Sequence, residues 1–271
     1  MTSITNHNFK KRFGQNFIFD QNLLMAIASD AGITNDDFVI EVGAGAGTLT
    51  EILAAKAKRV TAFEIDTDLK VYLDGTKQRN GNLTIIYGDI LKQDLREFVG
   101  DEPYKVVANL PYYITSPIIF YFLDRVLDGS KLQSLTIMVQ KEVADRLVAK
   151  PGTKDYGAIT VQVNALGTVK VTRQIGRQVF TPPPNVDSAV VKIDINPSKT
   201  VKNFTTLKKV IKVAFSMRRK TLLNNLSSGF GLNKESAADI LNKCGIDLNA
   251  RGETLDISKF IELANIFDNT F

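Results

Sequence analysis

One cysteine, Cys244, and one histidine, His7, are all the chain has of either residue in 271 positions. A lone thiol excludes an intrachain disulfide and a cysteine-rich zinc site, and both counts suit an intracellular reducing environment. Ser-His-Asp chemistry would have to rest on His7, in a polar leader. No run approaches the roughly 18 apolar residues that a membrane helix needs. The opening MTSITNHNFKKRF lacks the apolar core of a secretory signal. Internal repeats and low-complexity segments are also missing. These absences predict a cytoplasmic protein with no membrane partner and no metal.

What is present is ordinary for a globular chain: 44% hydrophobic and 23% charged residues. The length allows one large domain and a small one. A net charge of +5 suits a polyanionic partner. Lys10, Lys11 and Arg12 stand between Phe9 and Phe13; such a run fits a nucleic-acid contact, or simply solvated surface.

Helical spacing runs from Asp20 to Ala31, with Gly32 as a stop. A strand, Phe38–Val42, then enters Gly43-Ala44-Gly45-Ala46-Gly47, and a helix covers Leu49–Lys56. Glycines let backbone approach a ligand closely and adopt positive φ. The dinucleotide fingerprint Gly-x-Gly-x-x-Gly fails, because the third glycine is Gly47; a phosphate-binding P-loop fails for want of Lys-Ser/Thr. The spacing instead resembles motif I of S-adenosylmethionine-dependent methyltransferases. A second strand, Arg59–Glu64, ends 21 residues after Gly43 in a carboxylate placed to hold a ribose diol. A third, Leu83–Tyr87, leads to Asp89, which can accept from an adenine amino group.

The fourth strand, Lys105–Ala108, stops at Asn109-Leu110-Pro111-Tyr112. Proline cannot donate to a ladder, so an amide and an aromatic ring are presented at the strand's C-terminal edge, where open α/β sheets bind ligands. The set can read a flat, amine-bearing base; an ordinary strand-to-helix turn uses the same residue types. A fifth strand, Ser134–Val139, and a helix through Leu147 follow. Two β-type runs, Thr168–Ile175 and Asp187–Ile195, flank Arg177–Val186. Three prolines stiffen that loop, and its Phe180 either stacks on a base or fills a core gap. The alternation of strand and helix predicts an α/β, doubly wound, Rossmann-like seven-stranded sheet.

Beyond Asn196-Pro197-Ser198 the β signals end. Leu207, Val210, Ile211, Ala214, Phe215, Leu222 and Leu226 recur at helical spacing, with Lys208, Lys212 and Arg219 on one stripe. Helices are predicted over Lys234–Cys244 and Ser258–Asn265, with Asn233 and Ser258 as caps. The predicted domains are therefore 1–197 and a small helical domain, 198–271. Arg218, Arg219 and Lys220 make it a candidate for phosphate contacts.

Six blocks stand in order: Lys11–Phe17, Glu41–Gly45, Asn109–Tyr112, Gln140–Leu147, Phe180–Ser188 and Phe215–Leu222. Together they closely resemble the KsgA (RsmA) family of ribosomal RNA adenine N6,N6-dimethyltransferases, over about residues 9 to 265. The resemblance implies a class I methyltransferase sheet and S-adenosyl-L-methionine as cofactor. It implies cofactor contacts at Asn16, Ile18, Gly43, Gly45, Glu64, Asp89 and Asn109. It implies a target adenine held by Asn109, Leu110 and the Pro111 carbonyl and stacked on Tyr112 and Phe180. The implied reaction is dimethylation of two adjacent adenines near the 3′ end of small-subunit ribosomal RNA, by a monomer acting on the assembling small subunit. Two rivals stay open: a large-subunit adenine methyltransferase of the macrolide-resistance type, which usually carries Asn-Ile-Pro-Tyr, and a non-catalytic assembly factor on the same fold.

Overall fold

The computed structural model describes residues 16–270. Among the described residues, nine strands form in chain order: β1 (Phe17–Ile18), β2 (Phe38–Val42), β3 (Arg59–Glu64), β4 (Leu83–Tyr87), β5 (Tyr104–Asn109), β6 (Leu132–Gln140), β7 (Gly167–Ile175), β8 (Phe180–Thr181) and β9 (Ser188–Ile195). The helices are α1 (Gln21–Asp30), α2 (Thr48–Lys56), α3 (Lys70–Arg79), α4 (Arg96–Val99), α5 (Thr115–Leu127), α6 (Lys141–Leu147), α7 (Ala158–Leu166), α8 (Phe204–Ala214), α9 (Leu222–Phe230), α10 (Lys234–Lys243) and α11 (Ile257–Thr270). Among the described residues, no helix is long and apolar enough to cross a membrane.

Seven strands make one sheet in the order β4-β3-β2-β5-β6-β9-β7. The ladders among the first five are parallel, while β9 runs antiparallel to β6. All five residues of β2 are buried, as expected of a central strand covered on both faces. The chain leaves β2 toward β3 and β4 on one side, and toward β5 and β6 on the other. This reversal opens a crevice at the C-terminal ends of β2 and β5. The anticipated doubly wound, seven-stranded sheet is thus the observed one. β2, β3 and β4 keep their expected bounds, and β6 is longer than expected because Leu132 and Gln140 join its ladders.

Two compact units divide the chain. One runs to Ala144 and resumes over Lys170–Ile195; the other comprises Asp145–Val169 and Asn196–Phe271. The boundary expected at 197/198 therefore needs correction. Residues 145–169 belong with the C-terminal helices, since the Tyr156 hydroxyl donates to the Leu255 carbonyl at 2.8 Å and Tyr156 joins the helical core with Leu207, Leu241 and Phe260.

Caps set the helix starts. Asp20 accepts from the N–H groups of Asn22 and Leu23, so α1 begins one residue later than its periodicity suggests. Asn233 caps α10 through Ser236 N–H, as anticipated. Ser258 does not cap α11: Asp256 accepts from Lys259 N–H at 3.0 Å, which places Ser258 inside the first turn. The apolar spacing over residues 207–226 spans two helices, not one. α8 ends at Ala214, so Arg219 lies in the exposed connection to α9 and not on the Lys208–Lys212 stripe.

Candidate active site

The site is built where strands end. Gly43, Gly45 and Gly47 all take positive φ, between 58° and 82°. At Gly43 a Cβ would sit 3.2 Å from the Asn109 carbonyl oxygen, and at Gly45 one would sit 3.1 Å from the Phe17 ring. Glycine is thus required twice, for its left-handed backbone and for space. The ladder pairs Val42 with Ala108, which brings Gly43 and Asn109 side by side at the mouth of the crevice.

Glu64 ends β3 almost fully buried. Its Oε2 accepts the Gly45 N–H at 2.7 Å and its Oε1 the Asp66 N–H at 2.8 Å. Burial raises its pKa; the backbone N–H groups of Asp66, Gly45 and Ile65 oppose that rise, and the Asp66 charge adds to it. Each oxygen keeps a second lone pair for a hydroxyl donor. Asp89 follows β4, and its Oδ1 accepts the Leu91 N–H at 3.1 Å.

After β5, Pro111 leads into a short 3₁₀ turn, Tyr112–Ile114. The Pro111 carbonyl accepts the Ile114 N–H at 3.1 Å, so one of its lone pairs is already engaged. The Tyr112 hydroxyl meets Ser188 Oγ at 2.7 Å. Burial raises the Tyr112 pKa, against a lowering by Ser188 and with an addition from Asp187. Phe180 lines the same cleft but is only 3% exposed and packs in the main core. It forms a wall, and in this structure it is no exposed platform.

A two-residue ladder closes the site. Phe17 pairs with Thr181 and Ile18 with Phe180, antiparallel. Thr48, the first residue of α2, donates its hydroxyl to the Ile18 carbonyl at 3.0 Å. One cleft thus brings together Asn16, Ile18, Gly43, Gly45, Glu64, Asp89, Asn109, Leu110, Pro111, Tyr112 and Phe180. Sequence reasoning missed Ile65 and Ile90, which also line it and which only their position next to Glu64 and Asp89 could have flagged; Tyr113, directly after the Asn109–Tyr112 motif, lines it too.

Glu41 was missed as well. It lies within β2 between Ala62 of β3 and Val107 of β5, 1% exposed, and neither carboxylate oxygen makes a hydrogen bond of good geometry with a described residue. Burial pushes its pKa up to about 8; the Thr50 hydroxyl offsets part of the rise and the Glu64 charge adds to it.

Lys10, Lys11 and Arg12 lie outside the described residues. In the helical unit Arg218, Arg219 and Lys220 are exposed and form no ion pair with a described residue; Arg218 donates to the Lys154 carbonyl at 3.2 Å. Lys209 sits 4.9 Å from the centre of the Phe230 ring, a cation–π contact.

Residues 6–267 match the family described as "Ribosomal RNA adenine dimethylase". "Ribosomal RNA small subunit methyltransferase A" of Geobacillus thermodenitrificans is 45% identical, over 95% of this chain and 90% of that protein. Its namesake in Bacillus cereus is 44% identical, over 95% and 91%. Among solved structures, a dimethyladenosine transferase from Plasmodium falciparum superposes with a TM-score of 0.80 at 26% identity, covering 93% of this chain and 98% of that one. The 23S rRNA methyltransferase ErmE gives 0.71 at 24% identity, covering 93% and 100%, a likeness of fold alone. With a family match over nearly the whole chain, and the glycine turn and the Asn109–Tyr112 segment meeting in one cleft, the chain belongs to the ribosomal RNA adenine dimethylase family.

Proposed function

We propose that the protein uses S-adenosylmethionine to dimethylate N6 of two adjacent adenines near the 3′ end of small-subunit ribosomal RNA. The observation that carries this is the side-by-side placement of Gly43 and Asn109. It sets a cofactor cradle against a reader for an amine-bearing base. The small-subunit target is favoured over the large-subunit one by the close relatives' names and extent of identity.

The residues fit the cofactor. Gly43 lines the cleft as bare backbone, which lets a ligand lie close to the main chain, and Glu64 keeps lone pairs for the two ribose hydroxyls. Asp89 has its second oxygen to accept from an adenine amino group, with Ile65 and Ile90 as apolar walls. When bound, S-adenosylmethionine supplies a methyl group already activated on a sulfonium, so no metal is needed.

The chain's own work is positioning. An adenine N6 lone pair is delocalised into the ring and is a poor nucleophile. Accepting its two hydrogens localises that pair and turns it toward the methyl donor, and fixed geometry replaces a strong base. The Asn109 amide oxygen is one acceptor. The second is a main-chain carbonyl: Pro111 with its remaining lone pair, or Leu110. Tyr112 covers the base, offsetting the stacking it loses on leaving the RNA, with Phe180 as an apolar wall of the cleft. After one transfer a single hydrogen remains, and the buried Leu110 side chain gives the first methyl group an apolar place to lie.

The test is a time course of N6-methyl- and N6,N6-dimethyladenosine in digests of unmethylated small-subunit particles incubated with labelled cofactor. Dimethyladenosine should accumulate, and Asn109→Ala should slow it by roughly 10²–10⁴ with RNA affinity nearly intact. A reaction that ends at monomethyladenosine overturns the dimethylation claim; methylation at another atom overturns the geometry.

A further inference from the structure

We infer that Tyr113 is the stacking platform for the nucleotide next to the target adenine in the RNA chain. The inference rests on the placement of that adenine against Asn109–Tyr112 and extends it by one nucleotide. Three aromatic side chains line the cleft near Asn109: Tyr112, Tyr113 and Phe180. Two are committed. Phe180 is 3% exposed within the core, and the Tyr112 hydroxyl is tied to Ser188. Tyr113 is 63% exposed, and its hydroxyl makes no hydrogen bond with a described residue. It is the large apolar side chain that the Asn109–Ile114 segment turns to solvent.

The local backbone explains the division of labour. Tyr112–Ile114 form a 3₁₀ turn, held by the Ile114 N–H on the Pro111 carbonyl. With about three residues per turn, successive side chains diverge by roughly 120°. Tyr112 and Tyr113 therefore cannot face the same base. A ring at the mouth, one residue beyond the ring inside, matches a strand whose target base has been taken in while its neighbour stays out. That neighbour has lost a stacking partner, and every base has a face an aromatic ring can cover. Such stacking is insensitive to base identity. It would therefore secure the strand at the mouth without itself selecting a sequence.

The experiment uses the full-length protein and small-subunit particles reconstituted on ribosomal RNA whose 3′ part is joined by ligation. Three RNAs are compared: intact, abasic on the 5′ side of the target adenine, and abasic on its 3′ side. On intact RNA, Tyr113→Ala should lower kcat/KM by about 10-fold or more, the scale of one lost base–aromatic stack, with cofactor affinity unchanged. Tyr113→Phe should retain activity close to that of the unaltered protein. On one of the abasic RNAs the difference between Tyr113→Ala and the unaltered protein should vanish, because the base that the ring would cover is gone. A Tyr113→Ala variant within about twofold of the unaltered protein on intact RNA overturns the inference. So does a loss that persists in full on both abasic RNAs, since that would mark Tyr113 as a prop for the turn. Full activity in Asn109→Ala, measured alongside, would instead overturn the underlying placement of the adenine.

Discussion

Tyr112 and Ser188 meet hydroxyl to hydroxyl at 2.7 Å, 76 residues apart in the chain. The first follows β5 and the second opens β9, separated in the sheet by β6. Ser188 is wholly buried and fixes the tilt of a half-buried ring at the cleft. Ser188→Ala should slow methyl transfer by about 2- to 12-fold, the equivalent of one neutral hydrogen bond, with cofactor affinity unchanged. Tyr112→Phe should cost a similar factor, and the double variant little more than either alone. Single-turnover rates decide the point: losses that multiply would show that the two hydroxyls act independently.

Glu64 braces the glycine turn, and under the proposed function it also presents acceptors to the ribose diol of the cofactor. Glu64→Ala should weaken S-adenosylmethionine binding by roughly 1–3 kcal/mol, as a lost charged hydrogen bond does. Calorimetry on folded variant measures it; unchanged affinity would remove Glu64 from the cofactor site.

Arg218, Arg219 and Lys220 stand exposed between α8 and α9. Changing all three to Ala should weaken RNA binding and flatten its salt dependence, by about 0.7–0.9 in slope for each lost phosphate contact. Cofactor affinity should hold. A salt slope that does not move would make them solvated surface.

Glu41 gives a pH prediction. Its folded-state pKa, about 8, lies above the ordinary value of 4.5. The folded protein therefore keeps a proton that the unfolded chain releases. This group's contribution to stability is full below about pH 4.5 and is lost as pH rises through about 8. Glu41→Gln keeps the shape without the titration, so its Tm relative to the unaltered protein should climb between about pH 5 and pH 8. A difference that is flat across that range would show that Glu41 is not protonated in the folded state.

Much of this was legible because the informative residues sit at strand ends. β2, β3 and β4 are short apolar runs closed by Gly43, Glu64 and Gly88-Asp89, so both the strands and these lining residues of the cleft were marked. What escaped depended on long-range contacts. Residues 145–169 look like a continuation of the sheet's last crossover until Tyr156 is seen to reach Leu255. Ile211 and Leu222 are about three helical turns apart, so apolar phase runs straight through the break between α8 and α9. Asp256 and Ser258 are both good cap types, and periodicity cannot choose between positions two apart. Glu41 reads only as an acidic strand residue ahead of the glycine turn; nothing local shows that both faces of β2 are covered.

The pairing of Val42 with Ala108 makes the sheet a ruler for the site. The interval between Gly43 and Asn109 is set by backbone hydrogen bonds and owes nothing to the side chains that line the cleft. Those side chains can be exchanged without moving the interval, which gives substrate preference wide room to drift on one frame. Length has no such freedom. Deleting one residue from β5 would carry Asn109 about 3.3 Å along the strand and turn it to the opposite face.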